Sequence, residues 1–232
     1  MEEFPKGVEP KRVESRRTTA RTEPKVEKKR EPTTTRATTR TATASDPSAA
    51  RTKADSLYRA KKFNDASSVL AAAARQADDG EAKDLRRTSD MYAKLGRAYS
   101  SGMAPATKAT DAYERLQSAL NYDGNVGGEL KDEIETKLAQ VAPRAAIGFM
   151  AVKNYTRARN AVITAEKLGS TAEGLSLVRE KLESVAADLY SEASKVQSSD
   201  PAEAKEKFRT IMSIVDSKSP WYGRAAKAIA KL

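Results

Sequence analysis

Two stretches far apart in this chain carry the same apolar skeleton. "KKFNDASSVL" at 61–70 sets Phe63, Ala66 and Leu70 at intervals of three and four; "VKNYTRARNAV" at 152–162 sets Tyr155, Ala158 and Val162 at the same intervals. The polar residues between them differ. Intervals of three and four are the repeat of one helix face. A catalytic motif would keep its polar groups and let its packing residues drift, and here the reverse holds. What recurs is therefore a packing requirement. An alanine on such a face marks where a second helix comes closest, because a methyl group is all that a close crossing leaves room for.

From Ser48 onward the texture is that of successive helices, rich in Ala, Leu, Lys, Arg and Glu with apolar residues at the helical period. Asp46-Pro47 predicts a helix start, with Asp as cap and Pro in the first turn. Ala54, Leu57 and Tyr58 then share one face. "KKFND" ends this helix, and the next is expected to open with Asn64 or Asp65 as its cap. Leu95-Gly96-x-x-Tyr99 and Ala109-x-x-x-Tyr113-x-x-Leu116 form a second pair across "SSGMAP". Ala146-x-x-Phe149 leads into the Tyr155 stretch as a third pair. Leu189-Tyr190-x-x-Ala193 and Ala204-x-x-x-Phe208-x-x-Ile211 form a fourth, its second helix opened by Asp200-Pro201. The segment "NYDGNVGGELKDEIETKLAQVAP" predicts a turn at 124–128, an added helix at 129–141 and a kink or break at Pro143. "SPWYGRAAKAIAKL" predicts a C-terminal capping helix over 219–231, with Trp221 and Tyr222 sealing the last pair.

The beginning of the chain reads differently. Residues 1–47 are rich in Thr, Arg, Lys, Glu and Pro, and Val8, Val13 and Val26 stand isolated among them. Such a segment cannot offset an ordering entropy of roughly 1–2 kcal/mol per residue, so a disordered basic tail or linker is expected there. Its threonines sit beside arginines, as in "RRTT" and "PTTTRATTR", which would suit a basophilic kinase; each phosphate would add about −1.5 to −2 charges.

The order Ala54-x-x-Leu57, then Phe63-x-x-Ala66-x-x-x-Leu70-x-x-Ala73, resembles the tetratricopeptide repeat (TPR). Ala146-x-x-Phe149, then Tyr155-x-x-Ala158-x-x-x-Val162-x-x-Ala165, resembles it again. The anchors Ala54, Gly96 and Ala146 lie farther apart than that family's unit, so the copies are irregular. The resemblance implies an all-α fold, a right-handed stack of antiparallel helical hairpins over 48–232, against the alternative of an irregular helical bundle. It also implies a non-enzymatic scaffold or adaptor that binds a peptide or protein on a concave face. The family's groove positions fall on Arg51, Asp55 and Tyr58, on Lys94, Arg97 and Ser100, and on Pro143, Ile147 and Met150. A groove of that composition runs from basic to apolar.

Composition removes several other functions. The chain of 232 residues has no cysteine and no histidine, which excludes thiolate chemistry, Ser-His or Cys-His pairs and imidazole metal sites. Neither a catalytic group nor a cofactor is expected. Asn121, Asp123 and Asn125 alternate as in a calcium loop, but Val126 stands where glycine belongs and Asp132 where glutamate does, so a turn is expected and no metal. No apolar run approaches the ~20 residues of a membrane span, and no hydrophobic stretch follows "MEEFPKG"; the expected location is cytoplasmic. The formal net charge of +10 keeps nucleic acid open as an alternative partner through the basic arm and helix faces. "KVEKKR" at 25–30 is the densest patch of the arm, which lacks aromatics beyond Phe4 for base stacking.

Overall fold

A computed structural model describes residues 46–232. The expected disorder of 1–47 and the threonine kinase sites lie outside these residues, apart from Asp46 and Pro47, which start the first helix. Nine helices and no strand occur among the described residues: α1 (Pro47–Arg59), α2 (Phe63–Ala73), α3 (Asp79–Met103), α4 (Ala109–Val126), α5 (Lys131–Ala151), α6 (Tyr155–Lys167), α7 (Gly174–Val196), α8 (Pro201–Ile214) and α9 (Pro220–Ile229). The all-helical reading holds. No described helix is long and apolar enough to cross a membrane.

Helix starts follow local chemistry. Asp46 accepts from the Ser48 amide at 2.9 Å ahead of Pro47, Asp200 accepts from Glu203 at 2.9 Å, and Ser219 accepts from Trp221 at 3.2 Å. Each side chain satisfies one of the amides that a helix leaves without a partner. The expected cap of α2 differs. The chain reverses through Lys61, whose φ of 59° is left-handed, and α2 begins at Phe63 with no side-chain cap. Asn64 and Asp65 therefore lie inside the first turn. The α5–α6 turn repeats this form, with Lys153 at φ 58°. The Lys62 amide reaches back to the Leu57 carbonyl at 2.8 Å, and the Asn154 amide to the Phe149 carbonyl at 2.9 Å. Both are six-to-one closures of a helix end, made here by lysine instead of glycine.

Consecutive helices pack against one another through α6, and again from α7 to α9; between α6 and α7 contact is thinner, and α5 also touches α7. The small residues sit at these crossings. Ala54, Ala66, Ala146 and Ala158 are all 0% exposed. Gly96 brings α3 onto the start of α2, where an added Cβ would lie 2.6 Å from Phe63 Cβ. Gly102 brings α3 onto α4, where a Cβ would meet Leu116 Cγ at 2.7 Å. One contiguous core runs from Ala50 to Ala228. At its end Tyr190 packs, with its ring tilted, between Phe208 and Trp221, with ring centroids 5.4 and 5.6 Å away.

Two boundaries correct the sequence reading. α4 continues through Gly124 to Val126, so the turn falls on Gly127–Leu130, with Gly127 and Gly128 at φ 139° and 75°. α5 starts at Lys131 and runs unbroken to Ala151 through Pro143, which is buried. Proline inside a helix costs about 3 kcal/mol. Burial of Val141, Ala142, Ala145 and Ala146 around it outweighs that cost.

Candidate interaction site

Arg51, Asp55 and Tyr58 share one face of α1, but their neighbours divide them. Arg51 pairs with Glu81 at 3.0 Å on the surface. Asp55 accepts from the Tyr92 hydroxyl at 2.8 Å. Tyr58 is 2% exposed, which corrects its expected place on a binding face. Its hydroxyl donates to Asp123 Oδ1 and accepts from the Glu129 amide at 2.8 Å. Asp123 Oδ1 also accepts from the Leu130 amide at 3.3 Å. Asp123 is 0% exposed, and its Oδ2 has no hydrogen-bond partner among the described residues. Burial, reinforced by the bond to Asp123, pushes the Tyr58 phenol well above its ordinary range. This group locks the α4–α5 turn onto the end of α1.

The rim of the same contact is polar. Arg59 meets Glu129 at 3.0 Å, and Glu133 receives both Lys61 at 2.5 Å and the Tyr99 hydroxyl at 2.6 Å. The Lys61 ammonium holds the Glu133 carboxyl below its usual range, and Glu133 raises Lys61 in return. Lys61 also sits 5.5 Å over the Tyr99 ring.

On α3, Lys94, Arg97 and Ser100 are exposed. Arg97 and Ser100 line a cleft of about 490 Å³ with Ser101, Lys62 and Asn64, floored by Phe63 and Gly96. The start of α2, which has no side-chain cap, borders it, and the lining includes Lys62 and Arg97, two cations without ion pairs among the described residues. Asp65 is the one carboxylate in the lining. Lys61, also at the edge, is committed to Glu133. This arrangement suits a carboxylate carried by an extended segment.

On α5, Ile147 is 51% exposed while Met150 is half-buried against the core, and neither lines the cleft at Arg97. The suspected calcium loop is largely helix: Asn125 Nδ2 donates to the Asn121 carbonyl at 2.7 Å, and Asp123 is buried. Among the described residues no group of three or more acidic, His or Cys side chains is placed to hold a metal. Sequence reasoning passed over Asp123 and Glu133 as partners for Tyr58 and Tyr99. Neither stands out in the sequence, since Asp123 lies in the polar run "NYDGN" and Glu133 in the charged run "KDEIETK". No protein-family model matches the chain, and no curated protein and no solved structure matches it.

Proposed function

We propose that this chain is a non-enzymatic interaction scaffold, a TPR-like stack of helical hairpins that docks an acidic peptide or protein segment. Residues 1–47 would serve as a basic, phosphorylatable arm in a cytoplasmic setting. The observation that carries the reading is the cleft at the uncapped start of α2, lined by Lys62, Arg97 and Ser100 beside a single carboxylate. Fully buried alanines at the helix crossings support the hairpin stack. The groove differs from the family pattern: Tyr58 is spent inside the molecule, and Ile147 and Met150 lie away from the cleft, so the docking surface we propose is α3 and the α1–α2 turn.

The test is fluorescence anisotropy with a labelled decaglutamate peptide at low salt. Lys62→Glu/Arg97→Glu should weaken binding about tenfold or more, since each reversal replaces attraction with repulsion. The far-UV helical signal should be unchanged. Equal affinity for wild type and variant would remove this cleft as the site.

A further inference from the structure

The outer face of α3 carries a second feature, of which the peptide reading uses only Arg97. Lys83, Arg86, Arg87, Lys94 and Arg97 are all exposed. At 3.6 residues per turn they fall within an arc of about 100°, a single stripe about 21 Å long. None of the five takes part in an ion pair among the described residues. Asp90 is the one carboxylate inside the stripe, and Asp84 lies at its edge beside Arg87. The other long helices do not do this. Exposed positions of α7 alternate Arg179, Glu180 and Lys181, and Arg179 is paired with Glu166.

We propose that this stripe binds the phosphate backbone of double-stranded DNA without reading its sequence. Three features choose this occupant. An interface with another protein is anchored by apolar or aromatic side chains at its centre, and the stripe has no large one among its outward positions. Single strands are held by stacking on aromatics, and none is exposed there. Double-stranded RNA is recognised partly through its 2′-hydroxyls, for which a row of cations supplies little beyond phosphate contact. A straight row of Lys and Arg with open ends matches an evenly charged duplex, and about 21 Å spans roughly six base-pair steps.

The experiment measures binding of the full chain to a labelled 24-base-pair duplex between 50 and 200 mM salt. Five phosphate contacts predict a log–log slope near −4.5, a loss of about 500-fold across that range. Lys83→Gln/Arg87→Gln/Lys94→Gln should make the slope less negative by about 2.7 and leave decaglutamate binding at the Arg97 cleft intact. The charge-reversed Lys83→Glu/Arg87→Glu/Lys94→Glu should abolish retardation with an unchanged helical signal. A control, Lys28→Glu/Lys29→Glu/Arg30→Glu, separates the stripe from the basic N-terminal segment. The proposal is overturned by no retardation at 50 mM salt, by loss in the control alone, or by an α3 variant that binds like wild type. Tighter binding of duplex RNA, or equal loss of decaglutamate binding in the α3 variant, overturns it as well.

Discussion

Tyr58→Phe isolates the contact that ties the α4–α5 turn to α1. Phe preserves the ring, so the packing against Tyr92, 5.4 Å between centroids, and against Phe63, 6.4 Å, is kept. What goes is one hydroxyl with two hydrogen bonds. The Asp123 carboxylate, 0% exposed, would keep only the Leu130 amide at 3.3 Å, and the Glu129 amide would lose its acceptor. Leaving a buried polar group unsatisfied costs about 1–3 kcal/mol, more when it is charged, so a loss of about 3 kcal/mol is expected. For a domain of this size that lowers Tm by about 6–12 °C. Urea unfolding followed by far-UV circular dichroism reads it as a lower midpoint with an unchanged m-value. Asp123→Asn removes the charge while keeping an acceptor, so it should cost less in the Tyr58→Phe background than in wild type, with coupling of at least about 1 kcal/mol. A Tyr58→Phe protein within about 0.5 kcal/mol of wild type, or additive effects in the cycle, would refute the reasoning.

Lys153 holds a left-handed conformation and makes no ion pair among the described residues, so Lys153→Gly should raise stability by about 0.5–1 kcal/mol in the same unfolding assay. Gly102→Ala should lower it by about 1–3 kcal/mol, because the new methyl meets Leu116 Cγ at 2.7 Å and its backbone nitrogen at 3.2 Å. Burial raises the Tyr58 and Tyr92 phenols, so the folded state holds their protons more tightly than the unfolded chain. That stability is complete below the ordinary phenol pKa of about 10 and is lost as pH rises beyond it. The urea midpoint should thus hold to about pH 9 and fall above about pH 10. Glu133 has the opposite sign: its lowered carboxyl stabilises above its usual pKa and ceases to do so as acid protonates it.

Much of the fold was legible because it rests on local rules. Asp46, Asp200 and Ser219 start helices as their spacing predicts, and Ala66 and Ala158 are buried where the three-and-four rhythm puts them. The start of α2 was not, because a left-handed lysine at 61 reads like any surface lysine. Pro143 looked like a break because the cost of proline is local, while the burial that overcomes it comes from neighbouring helices. The groove positions were hardest to place. Arg51, Asp55 and Tyr58 look equivalent in the sequence, yet the partner that takes Tyr58 inside is Asp123, sixty-five positions on. A helix pattern gives the direction of a side chain and says nothing of which distant turn will meet it.

The most direct test of the whole account is an amide chemical-shift map of the isotope-labelled full chain, titrated separately with decaglutamate and with duplex DNA. Packed helices that leave two polar surfaces meeting at Arg97 predict that the peptide moves Lys62, Arg97, Ser100 and Ser101, and the duplex moves Lys83, Arg87 and Lys94. Shifts confined to residues outside α3 and the α1–α2 turn, or no shifts with either ligand, would contradict it.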